Sequence, residues 1–138
     1  MADFKIAHNK TIAFEGNYTA DPDDNGNWTG GAKGSGKLVG TNYGISAPLL
    51  ADYLGYVPAI GDMKSLTKES AEKIYKKLFW DAIKGDYIND QETANLLYDT
   101  AVNMGVKKAI LLAQQNAGVA ETGKMSMELL SALNHKKA

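Results

Sequence analysis

The chain has 138 residues, 44% hydrophobic and 22% charged, a composition typical of one globular domain that can bury its own core. It contains no cysteine, which excludes disulfide scaffolds and cysteine-bound zinc, and its two histidines lie near opposite ends, which argues against a histidine metal site. All 15 basic residues are scattered lysines and the net charge is -1, so the bidentate arginine contacts typical of nucleic-acid recognition are absent and we expect no nucleic-acid partner.

A helical pattern covers residues 3–14, near the start of the chain. At about 100° per residue, one stripe of this helix carries four side chains: Phe4, His8, Thr11 and Glu15. Gly16 then allows the helix to stop. We therefore predict a first helix with Glu15 at its end, on the side that faces the interior.

The next segment, residues 17–41, is rich in Gly, Asp, Asn and Lys, and contains only two short strand-like pieces. We predict a small β-hairpin inserted after the first helix. Its tip, GGAKGSGKL (30–38), partly fits the phosphate-binding pattern G-x-x-x-x-G-K-[ST], but Leu38 replaces the hydroxyl residue. No hydrophobic strand enters this tip and no good helix start follows it. We therefore predict a tip that projects into solvent and binds no nucleotide.

From Ala47 onward the pattern favours helices. Thr67 is a candidate N-cap for a helix that reaches Ile83, and Asn89 is a candidate N-cap for a helix that Gly105 closes. Two further helices are predicted near 107–117 and 126–134. No internal repeat or long linker divides the chain, so we predict a single, mainly α (α+β) domain over residues 1–138.

Two blocks around the predicted hairpin are more specific: FEGNYTADPDDNG (14–26) and GTNYGIS (40–46). Together they resemble the signature of the family-108 glycoside hydrolases, which are N-acetylmuramidases, with the approximate pattern E-G-G-Y, P-x-D-x-G-G and T-x-Y-G-I-T. The matching residues are Glu15, Gly16, Tyr18, Pro22, Asp24, Gly26, Thr41, Tyr43, Gly44 and Ile45. Asn17 and Asn27 stand where glycine is usual, and residues 28–40 form an insertion between the two blocks.

A later segment, LLYDTAVNMGVKKAILLAQQNAG (96–118), is similar to the family's D-x-A-V-N-x-G helix and the glutamine-containing helix after it. The resemblance therefore covers about residues 4–118. It implies a lysozyme-like domain that hydrolyses the β-1,4 bond between N-acetylmuramic acid and N-acetylglucosamine in peptidoglycan glycan strands, without a cofactor or metal. Residues 119–138 then form a reduced helical segment in place of a full peptidoglycan-binding unit.

Cleavage of a glycosidic bond requires a carboxylic acid that protonates the leaving oxygen, and burial against apolar groups prepares a glutamate for this task. Glu15 follows Phe14 on the inward stripe, and it also matches the family motif. We therefore predict that Glu15 is the general acid.

The second catalytic group is left open. Asp24 matches the motif and is a candidate base, but the run DPDDNG also fits an Asx-rich turn or a loop that binds a hard cation. Thr41 is a candidate for holding the attacking water through its hydroxyl, and Tyr43 for lining the sugar cleft, with simple packing as the alternative for each; Tyr18 is a further candidate substrate contact. Asp99 and Asn103 belong to a polar helix stripe that is either solvated or part of the substrate cleft. We expect Glu15, Asp24 and Thr41 to line one cleft, with Asp99 or Asn103 at its far wall.

Two other functions remain compatible with the sequence: a lytic transglycosylase, and a wall-binding or phage structural protein without turnover. The start, MADFKIAHNK, lacks the apolar core of a secretory signal, and no stretch approaches the ~20 apolar residues of a membrane span. We therefore expect synthesis in the cytoplasm, no stable membrane insertion, and action on the cell wall after release. A holin-like pore is the candidate partner for that export.

Overall fold

A computed structural model describes residues 1–12 and 18–135 of the chain. Within these ranges the structure is mainly helical, as the sequence predicts, and contains seven α-helices. They are α1 (Phe4–Thr11), α2 (Ala47–Leu54), α3 (Ile60–Lys64), α4 (Lys68–Tyr75), α5 (Gln91–Met104), α6 (Val106–Ala117) and α7 (Met127–His135). No helix in this part of the chain combines the length and the apolar character that a membrane span requires.

The chain forms two compact units. The first, which we call the helical unit, comprises the described parts of Met1–Ala13 and Tyr75–Ala138; the second, the inserted unit, comprises those of Phe14–Ile74. The prediction of one lysozyme-like domain over residues 1–138, with a reduced segment at 119–138, stays a prediction.

The core of the helical unit contains a cluster of aromatic rings where α1 packs along α5. His8 Nδ1 lies 2.7 Å from the hydroxyl oxygen of Tyr98, and the His8 ring stacks on Phe4 with 5.1 Å between centroids. Burial raises the pKa of the neighbouring Tyr75 to about 12. Phe4 and His8 are both buried, so the predicted inward stripe of the first helix is confirmed at these two positions.

The start of α1 is tied to the start of α5 by a reciprocal pair of hydrogen bonds. The backbone N–H of Asp3 donates to Gln91 Oε1 over 2.7 Å, and Gln91 Nε2 donates to the Asp3 carbonyl over 3.1 Å. At its other end α1 stops at Thr11, where the N–H of Ile12 donates to the His8 carbonyl over 2.7 Å. The predicted extension towards Phe14 falls on residues 13–17, which lie outside the described residues.

Helix α4 starts as predicted, because Thr67 Oγ1 accepts from the backbone N–H of Ser70 over 3.1 Å. The predicted continuation to Ile83 is wrong as an α-helix: a π-helical turn, Lys76–Trp80, follows α4. The N–H of Asp81 donates to the carbonyl of Lys76, five residues back, over 2.8 Å. This wider turn precedes Trp80, which is fully buried and donates from Nε1 to Asp86 Oδ1 over 2.8 Å.

The N-cap of α5 differs from the predicted Asn89. Asp90 is the cap: its Oδ2 accepts from the N–H and the hydroxyl of Thr93 over 2.9 and 2.6 Å. One carboxylate oxygen thus accepts from both donors of Thr93. Gly105 closes α5 as predicted, and its φ of 95° lets α6 begin at the next residue.

A buried glutamine organises the turn between α6 and α7. Gln114 Oε1 accepts from the backbone N–H groups of Thr122 and Gly123 over 2.9 and 3.0 Å. Its Nε2 donates to the Thr122 hydroxyl and to the Lys124 carbonyl over 3.0 and 3.1 Å. The side chain is fully buried. One residue of α6 therefore holds the segment that leads into α7.

The predicted β-hairpin is not supported. In the described residues around it the structure contains only isolated antiparallel bridges, Thr19–Thr41, Trp28–Leu38 and Asn42–Ile45. Two features interrupt the pleat between the first two bridges: the 3₁₀ turn Asn25–Asn27 on the outgoing segment and the positive φ of Gly40 on the returning one. The chain thus runs out and back, but without a ladder of paired strands.

The tip of this excursion is exposed over residues 31–37 and is tied internally by hydrogen bonds. The N–H groups of Gly30 and Ser35 donate to carbonyl groups inside the tip over 3.0 and 2.9 Å, and that of Gly31 donates to the carbonyl of Trp28, just before the tip, over 3.0 Å. The N–H groups of Lys33 and Lys37 donate to side-chain oxygens over 2.9 and 2.8 Å. A phosphate loop needs such N–H groups free to hold its anion, and here five of them are used.

Candidate functional site

The predicted general acid, Glu15, lies within residues 13–17 and therefore outside the described residues. Asn17, where the family usually has glycine, lies there too. The role of Glu15 stays a prediction. The other matched residues of the two signature blocks belong to the described part of the inserted unit.

Tyr18 and Thr41 lie beside each other on two paired segments. The N–H of Thr19 donates to the Thr41 carbonyl over 2.9 Å, and the N–H of Thr41 donates back to the Thr19 carbonyl over 2.8 Å. The Tyr18 hydroxyl donates to the Val39 carbonyl over 2.9 Å. Lys64 Nζ lies 5.2 Å from the centroid of the Tyr18 ring, a distance typical of a cation–π contact. The Tyr18 side chain is thus held by a hydrogen bond from its hydroxyl and by the contact of Lys64 with its ring.

This pairing requires a glycine at position 40. Gly40 has a φ of +92°, and a Cβ atom there would lie 2.5 Å from the Thr19 carbonyl oxygen and 2.7 Å from Cε1 of Tyr18. Real Cβ atoms do not approach other atoms so closely. The close approach of the two segments therefore depends on the missing side chain.

Asp24 acts as a turn residue in the structure. Its Oδ1 accepts from the N–H of Gly26 over 2.9 Å and caps the 3₁₀ turn Asn25–Asn27. The side chain is exposed. Within residues 1–12 and 18–135, no three His, Asp or Glu side chains group closely enough to hold a metal ion. The turn is therefore observed, and the catalytic role of Asp24 stays a prediction.

Thr41 meets the Asp24 turn at Gly26. The Thr41 hydroxyl lies 3.4 Å from the Gly26 carbonyl oxygen and donates to Asn27 Oδ1 over 2.6 Å. Because its single proton is committed to Asn27, the hydroxyl oxygen can act towards a water only as an acceptor. The structure thus brings Thr41 and the Asp24 cap to the same turn.

Asn27 is the residue at this site that sequence reasoning missed. It is fully buried, and its Nδ2 donates to the Asp21 carbonyl over 3.0 Å. Its own carbonyl accepts from the N–H groups of Val39 and Gly40, each over 3.0 Å. The signal was present, because Asn27 stands where the family usually has glycine. An asparagine there joins the turn, the returning segment and Thr41.

Tyr43 adopts a backbone conformation that is unusual for its type. Its φ is +54°, followed by a φ of +78° at Gly44. Asn42 and Ile45 close the turn with reciprocal hydrogen bonds of 3.2 and 2.9 Å. A side chain with positive φ costs roughly 1–3 kcal/mol, and such strain clusters at functional sites. The turn holds the half-buried Tyr43 in one place, and its contact with the sugar stays a prediction.

Asp99 and Asn103 lie on α5, in the helical unit. Asn103 Nδ2 donates to the Asp99 carbonyl over 2.8 Å, and Asn103 is exposed while Asp99 is half-buried. Asp99 also lines a groove with Lys10 and Thr11 of α1. Their predicted contact with substrate, and the prediction that they close the same cleft as Thr41, stay predictions.

Comparisons with known proteins agree with the motifs. The sequence model of the family described as glycosyl hydrolase 108 matches residues 8–105, which include every candidate site residue named above. The solved structure of SagA from Brucella abortus is similar to this chain, with a TM-score of 0.76 and 25% sequence identity. The alignment covers 97% of this chain and 70% of SagA. No curated protein matches the sequence.

Proposed function

We propose that this chain, which belongs to the glycosyl hydrolase 108 family and is a glycoside hydrolase, is an N-acetylmuramidase of lysozyme-like fold. Its substrate is the β-1,4 bond between N-acetylmuramic acid and N-acetylglucosamine in the glycan strands of peptidoglycan. The observation that carries this proposal is the family match, because the matched range, residues 8–105, includes Glu15, Asp24 and Thr41.

Glu15 is the proposed general acid. It precedes Tyr18 by three residues, so the covalent chain alone keeps the two Cα atoms within about 11 Å. Tyr18 in turn is held against the segment that carries Thr41. This connection supports a site in which Glu15 protonates the leaving oxygen near the Thr41 turn.

Thr41 and Asp24 are the proposed water-handling groups. A water that donates one proton to Thr41 Oγ keeps its second proton for a carboxylate base. Asp24 Oδ1 is used by the turn, whereas Oδ2 makes no hydrogen bond within the described part of the chain. Asp24 can therefore accept the water proton through Oδ2 without losing its cap. The chemistry needs two carboxyl groups and water, and requires no cofactor.

Tyr18, Tyr43, Asp99 and Asn103 are the proposed substrate contacts. Lys64 lies over the Tyr18 ring and Gly40 packs closely against it, but Tyr18 is half-buried and keeps part of its surface exposed for a sugar. Tyr43 is presented by a strained turn, which supports a role in binding. We place the action of the protein at the cell wall, where its proposed substrate lies.

Product analysis of digested peptidoglycan tests the proposal. An N-acetylmuramidase releases fragments with a reducing N-acetylmuramic acid end, which borohydride reduction and mass spectrometry identify. A lytic transglycosylase would instead give an anhydro end, and a wall-binding protein would release nothing. Either of the last two results would overturn the proposed reaction.

A further inference from the structure

A polar groove lies between α1 and α5 of the helical unit, and of its lining residues only Asp99 has been given a proposed role above. It encloses about 310 Å³ and is lined by six residues: Lys10, Thr11, Glu92, Asn95, Leu96 and Asp99. Thr11 is the last residue of α1, four positions before Glu15 in the chain. The groove therefore includes the end of the helix that precedes the proposed acid in the sequence.

The three charged side chains of the groove are available to a ligand. In residues 1–12 and 18–135, no ion pair joins Lys10 to Glu92 or to Asp99. Glu92 and Asp99 are seven residues apart, so they share one face of α5 and are separated by about 10 Å along its axis. Charged side chains that share a groove without forming ion pairs with each other can each form a hydrogen bond or an ion pair with a bound molecule.

Asn95 adds a donor between the two carboxylates. Gln91 Nε2 donates to Asn95 Oδ1 over 2.8 Å, which fixes the orientation of the amide. The two N–H bonds of Asn95 Nδ2 remain for a ligand, because no hydrogen bond from this nitrogen is formed within the described residues. The groove thus presents donors and acceptors in alternation along α5.

This mixture selects the chemistry of the ligand. The Lys10 ammonium would repel a simple cation, and the carboxylates of Glu92 and Asp99 would repel a simple anion. Sugar hydroxyls both donate and accept, and an N-acetyl group adds one donor, one acceptor and a methyl group. Leu96, which is 69% exposed, offers an apolar contact for that methyl group or for a ring face.

We propose that the groove between α1 and α5 is a binding subsite for an N-acetylated glycan, with Asn95 and Asp99 as its main polar contacts. This inference rests on the proposed function, since it assigns part of the glycan substrate to the helical unit. It adds Lys10, Thr11, Glu92, Asn95 and Leu96 to the residues expected to determine specificity.

The test is a binding measurement with a peptide-free β-1,4 tetramer of N-acetylglucosamine, made by calorimetry in the Glu15→Gln background. Asn95→Asp keeps the oxygen that Gln91 needs, but removes the donors that face the groove. Asp99→Asn keeps the side-chain shape and removes the charge. Each variant is expected to raise the Kd about tenfold, the effect of one lost hydrogen bond to a charged or fixed polar group.

Glu128→Gln on α7 is the matched control, because Glu128 is an exposed helix carboxylate outside the groove. Its Kd is expected to stay within about twofold of the parent. Thermal melts of all variants check that the fold is intact. An unchanged Kd in both groove variants overturns the inference, and the proposed function survives if the wild type still releases reducing ends from peptidoglycan.

Two other ligands would give different patterns. If the groove is a cation site, a tetramer of deacetylated glucosamine binds more tightly than the N-acetylated one, and Asn95→Asp strengthens its binding. If the groove takes the stem peptide, the variants weaken the binding of a soluble muropeptide but not that of the tetramer. Either pattern overturns the inference.

Discussion

The hydroxyl of Thr41 donates to the carboxamide oxygen of Asn27 over 2.6 Å, and Asn27 is fully buried. This one hydrogen bond joins the candidate water-positioning residue to the turn that Asp24 caps. It also determines which way the Thr41 hydroxyl can act, because its proton points inward and its free lone pair is left for water.

Asn27→Gly should therefore destabilise the protein, although glycine is the usual residue of the family at this position. It removes the acceptor of Thr41 and the donor to the Asp21 carbonyl, at an expected cost of about 2–4 kcal/mol in the free energy of unfolding. Urea denaturation measures the change. Thr41→Val should cost less, and a double variant should show non-additive losses. Additive losses would mean that the two side chains act independently.

Glu15→Gln should lower turnover of peptidoglycan at least ~100-fold while leaving the fold and substrate binding intact, since a carboxamide cannot donate the required proton. Release of soluble fragments from dye-labelled peptidoglycan measures turnover. Glu128→Gln on α7 serves as the control and should keep nearly full activity. A fully active Glu15→Gln protein would contradict the proposed mechanism.

Gly40→Ala and Gly34→Ala form a matched pair. Both glycines have positive φ, +92° and +79°, but only Gly40 has atoms in the space of a Cβ. Gly34→Ala should cost roughly 1 kcal/mol from backbone strain alone. Gly40→Ala should cost roughly 1–3 kcal/mol more and reduce activity, because Tyr18 and Thr19 must move. Equal losses of stability in the two variants would show that the close approach is not rigid.

Gln114→Ala should destabilise the C-terminal segment, because two backbone N–H groups at Thr122 and Gly123 lose their acceptor. The expected loss is about 2–4 kcal/mol in the free energy of unfolding. Gln115→Ala is the control: its side chain is exposed and donates to Glu121 Oε1 over 3.1 Å, so its expected cost is below about 0.5 kcal/mol. Hydrogen exchange at residues 121–124 localises the effect. Protection that survives Gln114→Ala would refute it.

The tip GGAKGSGKL should bind no nucleotide, because five of its N–H groups are already used within the tip or by nearby groups. ATP and GTP should leave the melting temperature of the wild type unchanged, and Lys37→Ala should behave identically. A nucleotide-dependent rise in the wild type that Lys37→Ala abolishes would reverse this interpretation.

Local patterns predicted the helices well. The apolar period of α5, the capping role of Thr67 and the stop at Gly105 all depend on neighbours within a few residues, and the structure has each of them. The cap of α5 was placed one residue early, because Asn89 and Asp90 are both good caps and only the fold selects between them.

Contacts between distant residues could not be predicted in the same way. Asn27 lies 14 residues from Thr41, and nothing in the local sequence shows that its side chain turns inward. The prediction of a β-hairpin was wrong for a related reason. The pattern of apolar residues does not record the 3₁₀ turn Asn25–Asn27 or the positive φ of Gly40, which break the pleat between the bridges.

The π-helical turn Lys76–Trp80 has a consequence for the alignment of related sequences. A π turn holds one residue more than an α-helix of the same height, and such turns are most simply understood as single-residue insertions. The extra residue sets the angular position of Trp80, whose ring fits against Gly85 so closely that a Cβ there would lie 2.2 Å from it. Deletion of one residue from this turn would rotate Trp80 by about 100° out of its place. Relatives with an uninterrupted helix here should therefore align with a one-residue gap in this turn and carry a different side chain in place of Trp80.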